Sequence, residues 1–163
     1  MRSRRRMIRE VPALALCGLV LVVAGCGSSS ANSTSGTVSN TAYKTAVTKA
    51  ATPWTAAAQH FSTAAQSANV SEDVAAIGAF TAANAAFANL LATVKAPAGA
   101  QTAHAAVIAS LRNLGTQLTN LQHAAQHALK THTTGGLKSA QVAVVTALQG
   151  VRSTTQALQA KVS

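Results

Sequence analysis

From Tyr43 onward, apolar side chains recur along the chain in alternating steps of three and four. Tyr43, Val47, Ala50, Trp54, Ala57, Phe61 and Ala64 form a first series, and Val74, Ile77, Phe80, Phe87, Leu91 and Val94 a second. A third runs Val107, Leu111, Leu114, Leu118, Leu121, Ala125 and Ala128, and a fourth Leu137, Val144, Leu148, Val151, Thr155, Leu158 and Val162. At 3.6 residues per turn, such steps place side chains on one face of a helix, so each series predicts an amphipathic helix with one apolar stripe. Residues 41–163 are numerous enough for one domain with a core. The breaks between the series are short, which makes sequential helices antiparallel neighbours. The expected fold is all-α, an up-down-up-down four-helix bundle.

The breaks carry their own signals. Ser71 before Glu72 and Asp73 predicts a helix start, with a capping hydroxyl followed by acids that the helix dipole favours. Ala96–Gly99, read as APAG, separates helices two and three, and TTGG, 133–136, separates three and four. Pro53 lies inside the first stripe. Thr52-Pro53 can start a new helix, but the stripe keeps its phase from Val47 to Phe61, which favours one helix kinked at the proline. Asn84 interrupts the second stripe. Because an unpaired buried amide is costly, the expectation is that Asn84 sits at the stripe's edge near water and Ala83 fills the core slot.

Upstream of Tyr43 the pattern is different. Arg2, Arg4, Arg5, Arg6 and Arg9 precede an apolar run from Val11 to Ala24. A basic start followed by an apolar run too short for a transmembrane helix is the layout of a secretory signal. Val23-Ala24-Gly25-Cys26 resembles the bacterial lipobox, which implies cleavage before Cys26 and a diacylglycerol thioether on its sulfur. Two acyl chains anchor a protein stably where one does not. Ser3 to Arg9, SRRRMIR, is similar to the twin-arginine export motif, with Met7 where a phenylalanine is usual; the general secretory route and the twin-arginine route both remain open. Residues 27–40 are rich in Ser, Thr, Gly and Asn and lack the apolar bulk to offset ordering. The expected organisation is a lipoprotein signal peptide over 1–25, a lipidated cysteine and flexible tether over 26–40, and a bundle over 41–163. The expected address is the extracytoplasmic face of the cell membrane. Cys17 falls within the signal, so the mature chain has no second cysteine for a disulfide.

Charge narrows the partners. The whole chain has a formal net charge of +10, but after Cys26 eight bases face two acids, a formal +6. These bases are scattered singly, whereas a nucleic-acid site wants a basic stripe. They suit solvated helix faces, or attraction to anionic lipid or an acidic envelope polymer.

Candidate chemistry is sparse. Glu72 and Asp73 are adjacent, so they point to different sides of a helix and cannot act as the facing carboxylates of glycosidases or of di-iron bundles. There is no nucleophile elbow, no glycine-rich phosphate loop and no Cys-x-x-Cys-His for haem. Met1 and Met7 both fall in the signal. A non-enzymatic protein is expected, without a resident cofactor. The metal candidates are the histidines. In an up-down-up-down bundle Glu72, Asp73, His127 and His132 share one end, with His123 one turn below His127. His123 and His127 are four apart and share a helix face, and imidazole with carboxylate suits zinc or copper. Dipole compensation alone also puts acids at helix starts and histidines at helix ends. His104 is in phase with the third stripe and is expected to pack near the Ala96–Gly99 turn, partly buried.

With its lipobox at 23–26, its Ser/Thr tether and the stretch APAGAQTAHAAVIASL around Pro97 and His104, the chain resembles the small alanine-rich helical lipoproteins of high-GC Gram-positive bacteria. The resemblance implies a place and a shape. Two functions fit: a lipid-anchored envelope module that binds or scaffolds another envelope component, or a metal- or haem-binding extracytoplasmic bundle.

Overall fold

The computed structural model describes residues 38–66 and 70–163. The expected signal peptide, Cys26 and most of the expected tether lie outside the described residues. Four helices account for nearly all of the rest: α1 Asn40–Ala64, α2 Val70–Thr93, α3 Gln101–Thr131 and α4 Leu137–Val162. No strand occurs among the described residues.

Local chemistry explains the ends. Ser39 caps α1, its Oγ accepting from the Ala42 N–H at 3.2 Å. Helix α2 begins at Val70, so Ser71 stands in its first turn rather than ahead of it, and the acids Glu72 and Asp73 follow in that same turn. Between α2 and α3 the Ala100 N–H donates to the Pro97 carbonyl at 3.1 Å, a tight turn in which Gly99 takes φ +80°. Helix α3 stops at His132, which adopts the left-handed conformation (φ 56°) usual at a helix C-terminus. Helix α1 runs unbroken through Pro53, so Thr52-Pro53 starts no second helix. Pro53 is exposed, and the carbonyl it leaves without an N–H partner lies on the side open to water. Many helical threonines, including Thr45, Thr55, Thr81 and Thr119, turn their hydroxyls back onto the carbonyl four residues earlier. That bond satisfies the hydroxyl within a helix that β-branched residues otherwise disfavour.

The helices pack in sequence: α1 on α2, α2 on α3 and α3 on α4. The fourth seam, between α1 and α4, lacks comparable packing. The fold is therefore an up-down-up-down bundle with one open side. Its core follows the expected stripes, and Phe80, Leu91, Leu111, Leu114 and Leu118 are wholly buried. In α1 the stripe is one position wider than expected, with Ala51 and Ala58 more deeply buried than Ala50 and Ala57. Trp54 and Phe61 of α1 meet Phe80 of α2 with ring centroids 5.6 and 5.5 Å apart, a spacing at which aromatic pairs attract beyond their buried area. Residues 72–93 are long and apolar enough to cross a membrane, with a mean hydropathy of 1.6. In the bundle, α2 lies between α1 and α3, and its large side chains enter the core except for the half-exposed Leu90.

Asn84 departs from expectation. It is 1% exposed, deeper than Ala83, and both ends of its amide are held. Its Oδ1 accepts from the Trp54 indole N–H at 3.1 Å, and its Nδ2 donates to the Leu111 carbonyl at 2.7 Å. Paired on both sides, the amide avoids the desolvation penalty that argued for the surface. It ties α1, α2 and α3 together in one layer. Gly115 makes room for it, since a Cβ there would stand 3.2 Å from Asn84 Nδ2.

A cleft along the open seam

The unpacked side of the bundle is a cleft of about 750 Å³, within the ~300–1,000 Å³ typical of small-molecule sites. One wall is α1 from Thr41 to Thr55 and the other is α4 from Val151 to Val162 with Ser163 beyond its end. Phe87 and Leu91 of α2 and Val107 of α3 lie beneath it, all three buried, so the floor of the cleft is closed. Its lining is layered. Tyr43, Ala51, Trp54, Leu158 and Val162 lie buried at its base, Val47 is half-buried, and threonines with Lys44 and Lys49 form the more exposed rim. The cleft opens at the end of the bundle where α1 begins and α4 finishes, which is also where residues 38–39 lead in.

Behind the wall lies a buried pair. The Tyr43 hydroxyl is 2.6 Å from His104 Nδ1, and His104 Nε2 is 3.1 Å from the Leu91 carbonyl. The carbonyl can only accept, so Nε2 carries the imidazole proton and Nδ1 accepts from the phenol. Burial pushes the Tyr43 phenol up to about 12, which keeps it a neutral donor. Burial also lowers the His104 pKa, against a smaller opposing pull from the Leu91 carbonyl, which keeps the imidazole neutral. His104 was expected near the Ala96–Gly99 turn. It is buried, and its main-chain N–H donates to the Ala100 carbonyl beside that turn; its ring holds the Leu91 carbonyl, in the last turns of α2, and the Tyr43 hydroxyl of α1. Both ring nitrogens are engaged within the protein, so the pair acts as a tie from α1 to α3.

The metal candidates are placed differently. His123, His127, His132 and Glu72 are exposed, and Asp73 is half-buried. His127 Nδ1 lies 3.4 Å from the Thr131 hydroxyl, one turn along its own helix. Among the described residues, no three His, Cys, Asp or Glu side chains come together as a metal-holding group. Asp73 Oδ1 is buried without a hydrogen-bond partner. Burial, and then the charge of neighbouring Glu72, raise its pKa.

Sequence reasoning missed the cleft and both ties. A signal for one tie was present: Tyr43 and His104 are polar-tipped residues in core phase on helices that begin at the same end of the bundle. The cleft had no such signal, because a stripe shows which face of a helix is apolar and not whether a neighbour covers it. An all-α bundle with a cleft between its first and last helices is the class that fold and site define. No family model, curated protein or solved structure matches the chain.

Proposed function

We propose that this chain is a lipid-anchored, non-enzymatic cell-envelope protein whose bundle binds another envelope component in the α1–α4 cleft. An acylated Cys26 would hold it on the extracytoplasmic face of the membrane, with the bundle on a short tether. The observation that carries this reading is the cleft itself: about 750 Å³ between α1 and α4, bordered by Lys44 and Lys49, at the end where α1 begins. A bundle that existed only as a rigid spacer would gain by closing that seam, because each buried methylene contributes about 0.8 kcal/mol. Both ring nitrogens of His104 are engaged within the protein, which leaves the Tyr43–His104 pair no free atom for proton transfer. The scattered bases suit the anionic membrane surface beside such an anchor.

The test is made in cells. A photo-crosslinking amino acid at Thr48, on the cleft wall, should capture an envelope component, and the same probe at exposed Gln126 on α3 should not. Equal capture at both positions, or none at Thr48, would refute binding in the cleft. Cys26→Ala should release the protein from the membrane and remove its metabolic fatty-acid label.

A further inference from the structure

The fold sorts charges that are scattered along the sequence. Helices α1 and α3 begin, and α2 and α4 finish, at the same end of the bundle. At about 1.5 Å per residue, Lys44 lies roughly 6 Å from the start of α1, Lys161 roughly 2 Å from the end of α4, and Lys95 just past α2. Lys49, Arg112 and Arg152 follow about 14–17 Å in, still within this half. Lys44 is half-buried and the other five are exposed. The two described acids, Glu72 and Asp73, stand about 30 Å away along α2 and share the far end with Lys130 and Lys138, so that end is balanced. Even with a main-chain carboxylate at Ser163 set against the six bases, the near half stays strongly positive. Helix dipoles account for Lys95 and Lys161 at helix ends, but they would equally place acids in the first turns of α1 and α3. Neither helix has one there, and α1 carries Lys44 one turn in. Dipole compensation therefore does not explain the surplus. We propose that this end of the bundle is a docking face for an anionic lipid bilayer, with the helix axes rising from the membrane. Anionic headgroups attract each nearby lysine or arginine, and the acids are several screening lengths away, at about 8 Å each. A bilayer fits this face better than an acidic polymer, because α1 begins here and a membrane-held Cys26 presents these bases to the lipid first. This rests on the membrane address proposed above and adds the face that meets the bilayer.

The chain from residue 26 onward keeps every described residue and has Cys26 as its single cysteine. Coupling Cys26 to a maleimide-headgroup lipid tethers it to vesicles whether or not cells acylate it, and helical circular dichroism serves as the folding control. Lysines are then acetylated with an N-hydroxysuccinimide ester and read by mass spectrometry. On vesicles of equimolar phosphatidylglycerol and phosphatidylcholine, Lys44, Lys95 and Lys161 should react about threefold or more slowly than on phosphatidylcholine alone, one charge near an anionic surface being worth about fivefold. Lys130 and Lys138 should react equally on both. Raising salt from about 0.15 M to about 1 M, which cuts the screening length from about 8 to about 3 Å, should erase the difference. Lys44→Gln with Lys161→Gln should lower the protection of Lys95, whereas Lys130→Gln with Lys138→Gln, the same loss of charge at the far end, should leave it unchanged. Lys49→Gln takes the place of Lys44→Gln should the first pair misfold. Protection equal at both ends, protection indifferent to salt, or equal loss in the two double variants would each overturn the docking face. Protection of the same lysines by soluble polyglutamate and not by the anionic vesicles would overturn it too, and would assign this end to an acidic polymer. Release of Cys26→Ala from membranes in cells tests the address separately. Its failure, with the vesicle pattern as expected, overturns the anchor and leaves the docking face standing.

Discussion

Replacing Asn84 by alanine should be among the costlier single changes in this protein, although it removes only one small amide. Asn84 is 1% exposed and Trp54 2%. The substitution strands the Trp54 indole N–H, which now donates to Asn84 Oδ1 at 3.1 Å; an unsatisfied buried donor costs about 1–3 kcal/mol. The Leu111 carbonyl loses the 2.7 Å bond from Asn84 Nδ2 but keeps its own helical partner, so that loss is nearer 0.5–1.5 kcal/mol. Together these give roughly 2–4 kcal/mol. Urea unfolding followed by far-ultraviolet circular dichroism measures it. Trp54→Phe supplies the second arm of a double-mutant cycle. With the indole N–H gone, Asn84 Oδ1 is itself unpaired, so Asn84→Ala should cost less, by a coupling of about 1–3 kcal/mol. A penalty below about 0.5 kcal/mol, the range of an ordinary surface substitution, would show that the amide is not the tie described. An equal penalty with tryptophan or phenylalanine at position 54 would show the same.

Gly115→Ala should stabilise α3 by up to about 1 kcal/mol on helix propensity alone, yet its Cβ would crowd Asn84 at 3.2 Å. Thermal melts should therefore show a loss in the native background and a gain when Asn84 is alanine. Leu118→Ala, in the closed part of the core, should cost about 3–5 kcal/mol, whereas Leu158→Ala, on the cleft wall, should cost nearer 2, because its void is continuous with one already present; equal costs in urea would contradict an open seam. The unfolded chain binds a proton at His104 near its ordinary 6.5 while the folded one resists it, so stability should fall as pH drops below about 6.5 and hold above it. In His104→Leu the part of that slope due to this residue should vanish from melting curves taken between about pH 5 and 8, while Asp73, shifted upward, contributes with the opposite sign in both proteins alike.

Much of the helical layout was legible because Leu111, Leu114, Leu118 and Leu121 repeat at a helix's own period, and such a repeat has one physical reading. The turn before α3 was legible from its proline and glycine. Asn84 was misread because a sequence shows the cost of burying an amide but not the partner that removes it; Trp54, thirty residues away, is that partner. His104 sits close to the turn before α3, as its phase implied, but its partners Tyr43 and the Leu91 carbonyl are no more legible in sequence than Trp54. The pairing of His123 with His127 rested on a shared helix face, and that face turned out to be solvent.

The missing packing between α1 and α4 also sets the order in which the molecule comes apart. Helices α2 and α3 each have two packed neighbours, whereas α1 is held by α2 and by two polar ties, Tyr43 to His104 and Trp54 to Asn84. Partial unfolding begins where the fewest contacts must break, which makes α1 the first segment able to leave as a unit. Its amide protons should exchange with solvent sooner than those of α3, and acid, by charging His104, should hasten them selectively. The helix nearest the expected membrane anchor is thus also the one whose departure bares the apolar floor of the bundle.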